Sequence, residues 1–123
     1  MEEFRFDYDA EDDVLYIQNA VERVEESVEF SEDLVLDLNK KGSIVGVEIF
    51  YASEFLSLFN KEINKEFLEN LQEAHLEYKD FRNIWFVVLM LKSNNKVILQ
   101  ALPPLKKSEY VSPIVQYLQS KNN

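Results

Sequence analysis

The stretch Leu34-Val35-Leu36-Asp37-Leu38-Asn39-Lys40-Lys41-Gly42-Ser43-Ile44-Val45-Gly46-Val47-Glu48-Ile49-Phe50-Tyr51 decides the fold. Two apolar runs flank a polar turn, which is the pattern of a β-hairpin. Asn39 and Gly42 sit at the first and last positions favoured in a type I turn. A glycine there often makes a bulge, and a bulge flips which face of Ile44–Tyr51 pairs with Leu36. Upstream, Phe4, Phe6 and Tyr8 alternate with Glu3, Arg5 and Asp7. That period of two predicts a half-buried strand. Asp9 to Asp13 reads as a polar turn, Val14–Ile17 as the returning strand, and Val28 and Phe30 around Glu29 as a third strand.

Downstream, Ser53 is placed to cap a short helix through Phe55, Leu56, Leu58 and Phe59, because a serine hydroxyl can take an orphan backbone N–H. Asn64 reads as a second cap, with Ile63 and Leu68 placed for a hydrophobic staple. The spacing predicts a helix from Lys65 to about Glu73. Ala74, Leu76 and Tyr78 alternate with polar residues and favour a strand, although Leu71, Ala74, His75 and Tyr78 would also share a helix face. Ile84–Leu91 has no polar alternation and predicts a core strand buried on both faces, Trp85 included. Val97–Leu102 returns, and Pro103-Pro104 ends that strand. Ser112-Pro113 predicts the start of a last helix carrying Ile114, Val115 and Leu118. The hairpin around Gly42 and the one between Leu91 and Val97 echo each other, each with a helix expected after it. The expected fold is α+β: a mostly antiparallel β-meander sheet of seven or eight short strands, with two or three short helices packed on it. No Gly/Ser/Pro-rich linker interrupts residues 1–123, so a single domain is expected.

Composition closes several doors. The chain has 123 residues, is 46% apolar, and contains no Cys, one His and two Gly. Cysteine-based metal or disulfide chemistry is excluded, as are HExxH metal sites and glycine-rich phosphate loops. The longest apolar run spans eight residues, where a membrane helix needs about 20. Met1-Glu2-Glu3 lacks the basic and apolar regions of a signal peptide, so a cytoplasmic location is expected. Charge is uneven. Residues 1–60 hold 16 Asp and Glu against 4 Lys and Arg, net −12; residues 61–123 hold 7 against 9, net +2. A nucleic-acid binder needs a basic stripe, so no nucleic-acid partner is expected.

Asp7, Asp9, Glu11, Asp12 and Asp13 place five carboxylates in seven residues. They fail the EF-hand pattern, with Asp12 where Gly belongs and Gln18 where Glu belongs. A solvated turn is the simpler reading; Asp9, Glu11 and Asp13 are the candidates if a metal binds. Asp37 and Glu48 sit in apolar runs. They are the possible functional acids, either as an acid–base pair or as structural groups paired with Arg5, Lys40 or Lys41. His75 stands alone, with no Ser-His-Asp spacing. Tyr8 and Tyr16 flank the acidic turn as core rings with rim hydroxyls. Glu22, Glu25, Glu26, Glu29, Glu32 and Asp33 form a second acidic stretch.

The segments Tyr8-Asp-Ala-Glu-Asp-Asp-Val-Leu-Tyr-Ile17, Val28-Glu29 and Leu36 to Ser53 resemble a small prokaryotic family, domain of unknown function 2283. Its pattern is Tyr-Asp-x-Glu-x-Asp-x-Leu-Tyr-Ile, an acidic strand, then Gly-x-Ile-x-Gly-Ile-Glu-Ile-x-x-Ala-Ser. The likeness covers about residues 4–55, with Val47 where Ile is usual. The C-terminal half looks like an extension found on longer archaeal members. The resemblance implies a small β-meander followed by a helix and brings no established activity, cofactor or catalytic residue. Some members are similar to antitoxins in being small, acidic and paired with a basic toxin. The functional expectation is a non-catalytic protein-interaction module without a cofactor, partnered by a second copy or by a basic protein. The alternative is a small metal- or ligand-dependent hydrolase using the acidic turn and Glu48.

Overall fold

The computed structural model describes residues 3–107. Its elements are β1 (Phe4–Asp9), β2 (Val14–Asn19), β3 (Glu26–Ser31), β4 (Leu34–Leu38), β5 (Ile44–Phe50), α1 (Ala52–Ser57), α2 (Lys65–Glu69), β6 (Leu71–Phe81), β7 (Ile84–Ser93), β8 (Lys96–Ala101) and β9 (Leu105–Lys106). The fold is α+β with antiparallel strands, as expected, but the strands divide between two sheets. The first has the order β1-β2-β5-β4-β3; the second has the order β6-β7-β8, with β9 also paired to β7. The first sheet departs from a plain meander. The segment after β2 carries the chain past two strand positions to the far edge, and β5 then returns to pair with β2. Asn19 shapes the exit: its side-chain oxygen accepts the N–H groups of Val21 and Glu22. Among the described residues, no helix is long and apolar enough to cross a membrane.

The central hairpin forms as the sequence predicts. The Gly42 N–H donates to the Asn39 carbonyl at 2.9 Å, closing the type I turn. The Asn39 side chain accepts from Lys41 and Ser43. Gly42 has φ 79°, a conformation that costs an L-residue about 1–2 kcal/mol. The register shifts once: Asp37 pairs with Gly46 but Leu38 pairs with Ile44. Val45 is the extra residue, so Ile44 joins Val47 and Ile49 in the core despite the odd spacing. β5 stops at Phe50 because Tyr51 turns into the left-handed region at φ 52°.

The helices are shorter than the periodicity suggests. Asn64 caps α2 as predicted, accepting the Phe67 N–H at 2.9 Å. The helix ends at Glu69 and not near Glu73. Leu71 already begins β6, and a register shift between Leu71 and Glu73 lets Leu71 pack on the same core as Ala74 and Leu76. Residues 74–79 are therefore strand. α1 ends at Ser57, leaving Leu58 and Phe59 exposed. One apolar cluster takes side chains from both sheets and both helices, and β6 lies against β1 and β2.

β7 corrects the reading of Ile84–Leu91. Trp85, Val87, Leu89 and Leu91 are buried, whereas Phe86 is exposed and Ile84, Val88 and Met90 are half-buried. The strand alternates in burial although its composition does not. The β7–β8 hairpin leads into Pro103-Pro104, which ends β8 as expected, and then into β9. The helix predicted from Ser112-Pro113 lies outside the described residues.

Gly46 is the tightest point of the first sheet. A Cβ there would stand 2.9 Å from Asp37 Oδ2 and 3.2 Å from the Ile17 carbonyl oxygen. The carbonyl belongs to backbone and cannot swing aside. Gly46→Ala is expected to lower stability by about 1–3 kcal/mol, read as a reduced urea midpoint with unchanged slope. An unaltered midpoint would contradict this packing.

Candidate functional site

Two acids of the first sheet, Asp13 and Asp37, each accept a tyrosine hydroxyl. In the turn between β1 and β2, Asp9 Oδ1 accepts the N–H groups of Glu11 at 3.0 Å and Asp12 at 3.1 Å, as a side chain that mimics a backbone turn does. Asp13 then takes a left-handed conformation, φ 57°. Its carboxylate meets the start of α1. Oδ1 accepts the Ser53 N–H at 3.0 Å, Oδ2 accepts the Ser53 hydroxyl at 2.8 Å, and the Asp13 carbonyl accepts the Ala52 N–H at 2.9 Å. The Tyr8 hydroxyl donates to Oδ1 at 2.6 Å.

Ser53 therefore does not cap α1. Tyr51 occupies the cap position without a side-chain cap bond, and the missing acceptor comes from Asp13, forty residues away. The first N–H groups of a helix have no partner within it, and a carboxylate there satisfies them with a favourable dipole contact.

These contacts set the ionisation. Burial pushes the Asp13 carboxyl up, but hydrogen bonds from Tyr8 and Ser53, with the Lys65 cation, outweigh it and hold the group below its usual value. Burial, the bond to Asp13 and the charges of Asp13 and Glu69 raise the Tyr8 phenol well above its ordinary range.

The second cluster lies on the outward face of the same sheet. Asp37 is buried, with Oδ1 accepting the Ser27 hydroxyl at 2.7 Å and Oδ2 the Tyr16 hydroxyl at 3.1 Å. Tyr16 stands opposite Glu48 and reaches across β5 to Asp37, whose carboxylate lies against Gly46. Burial, then the charge and hydrogen bond of Asp37, push the Tyr16 phenol from 10.0 up to about 12. Two hydroxyls thus hold Asp37, where the sequence suggested Arg5, Lys40 or Lys41. Glu48 is its diagonal neighbour, opposite Val35 and Tyr16.

The acids do not converge. Asp13 is engaged by α1, Asp9 holds its own turn, and Glu11 is exposed. Among the described residues, no three His, Cys, Asp or Glu side chains are grouped to hold a metal ion. His75 stacks on Phe4, ring centroids 5.3 Å apart. Two of the hollows formed by the described residues bear on the site. One, of about 750 Å³, lies where Phe4, Asn19, Arg23, Lys40, Lys41 and Tyr78 meet. The other, of about 550 Å³, sits on the outward face of the first sheet. Val14, Val35, Phe50 and Tyr51 line it together with Asp12, Glu29, Ser31 and Glu32. Asp37 and Glu48 line neither. Sequence reasoning missed this second hollow, and the only signal for it is the pairing of outward apolar residues across β2, β5 and β4.

Residues 5–53 match the family described as protein of unknown function (DUF2283), in agreement with the resemblance carried by Tyr8 to Ser53. The matched part is less than half of the chain and contains both tyrosine–aspartate clusters. No curated protein and no solved structure matches the chain.

The raised Tyr16 phenol has a consequence at high pH. The unfolded chain releases this proton near pH 10.0 and the folded chain near 12. Its contribution to stability is therefore complete below pH 10 and lost as pH rises towards 12. Urea midpoints between pH 8 and 12 should fall less steeply for Tyr16→Phe than for the wild-type chain. Parallel curves would show that Asp37 does not hold the phenol in its neutral form.

Proposed function

We propose that this is a cytoplasmic, non-catalytic interaction module whose first sheet docks a basic protein segment, as the antitoxin-like resemblance implies. The observation that carries the reading is the hollow of about 550 Å³ on the outward sheet face, which apolar and acidic side chains line together. An interface needs an apolar centre for affinity, and charge around it for steering and choice of partner. Val14, Val35, Phe50 and Tyr51 supply the first; Asp12, Glu29 and Glu32 supply the second. Asp7, Asp9 and Glu48 extend the negative charge over the same face, with Arg5 as the base among them. The net −12 of residues 1–60 adds a long-range field of the same sign. β3, at the sheet's edge, carries Glu26 and Glu29, which discourage pairing with a like-charged strand.

The hydrolase alternative has less support. Asp37 and Glu48 line neither hollow, Asp37 is held by two hydroxyls, and Asp13 is taken up by Tyr8 and Ser53.

A synthetic peptide alternating Lys and Phe tests the reading by amide NMR. It should shift Val14, Val35, Phe50 and Tyr51, and its affinity should fall about tenfold as salt rises from about 0.05 to about 0.3 M. A Glu/Phe peptide should not bind. Equal binding of the two peptides, shifts confined to other residues, or unchanged affinity in Glu29→Lys/Glu32→Lys would overturn it.

A further inference from the structure

The second sheet has an outward face of opposite character. Phe86, Val88 and Met90 of β7 point away from the core, and Met90 pairs with Leu99, Val88 with Ala101 and Lys92 with Val97 of β8. Leu99 is 69% exposed, Val97 56% and Phe86 39%. A solvated antiparallel sheet normally turns a polar face outward, and a contiguous apolar patch marks an interaction surface.

We infer that this face docks a second copy of the chain, giving a two-fold dimer. Charge selects the occupant. Each copy carries net −10, concentrated in residues 1–60, so two copies meeting through their first sheets would repel. Around the apolar face of the second sheet the signs are mixed, with Glu73 and Glu77 against Lys79, Lys92 and Lys106. A basic partner is drawn to the first sheet, and the mixed signs around the second sheet give it little net attraction for an anionic membrane or polyanion. A second copy brings a matching apolar face with charges of both signs, which is what a self-complementary interface requires. The contact is face to face and leaves the hollow of the first sheet free. It stands on different residues from the basic-partner reading and does not depend on it.

Light scattering of the full chain from micromolar to hundreds of micromolar tests the inference. The expected result is twice the chain mass at the upper end, in high as well as low salt. Leu99→Glu and, as a second variant, Val97→Lys should each halve that mass while circular dichroism stays unchanged. Both positions are exposed, so neither substitution disturbs the core. Glu32→Lys, on the first sheet, should leave the dimer intact. A monomer at every concentration, or a dimer that survives in folded Leu99→Glu and Val97→Lys, would overturn the proposal.

Discussion

The Asp13 carboxylate ties the beginning of the first sheet to its end. Its backbone and side chain take the Ala52 and Ser53 N–H groups while Tyr8 and Ser53 hydroxyls donate to it. β2 follows Asp13 and β5 precedes Ala52, so the tie closes the β2–β5 pairing at the end where Val14 meets Phe50. It also fixes where the chain leaves the sheet as α1. The direction of α1 sends Leu56 into the core and positions the segment that continues through Ile63 and α2 to the second sheet. A six-residue helix is too short to be stable alone. It exists because an acceptor was placed at its start by a turn forty residues earlier.

Asp37 does comparable work at the other end of the sheet. Its two hydroxyl partners come from β2 and β3, so one buried side chain on β4 links strands on both sides of it. Gly46 leaves room for this: a Cβ there would crowd the Asp37 carboxylate oxygen that accepts the Tyr16 hydroxyl. The acids thus divide into two groups by environment. Asp13 and Asp37 are tied to hydroxyls and hold the sheet. Asp12, Glu29, Glu32 and Glu48 stay on its surface, and the first three line the hollow beside Val14, Val35, Phe50 and Tyr51. The same composition supplies both the internal fastening and the external field.

Local signals made much of this legible. Asn39 and Gly42 announced the central hairpin, and Asn64 announced α2, because in each case donor and acceptor lie within a few residues. Alternation of Phe4, Phe6 and Tyr8 announced β1. What stayed hidden was tertiary. Ser53 looks like a cap until Asp13 arrives from another element. Leu71 looks helical until a register shift places it beside Ala74. The outward half of β7 looks like core because hydropathy cannot distinguish two apolar faces when only one is covered. The acidic turn looks like a possible metal loop, and only its folded geometry shows Asp9 and Asp13 bonded to backbone and hydroxyl donors.

The central claim is that the Asp13 carboxylate is a structural cap for α1. Backbone amides in the first turn of a helix ordinarily exchange with solvent quickly, having no acceptor within the helix. Hydrogen exchange at the Ala52 and Ser53 amides measures the claim directly. The account predicts that both are protected to nearly the level of the core strands, and that Ser53 loses this protection in Asp13→Ala while the Leu36 and Val47 amides keep theirs. A Ser53 amide that exchanges freely in the wild-type chain would contradict it.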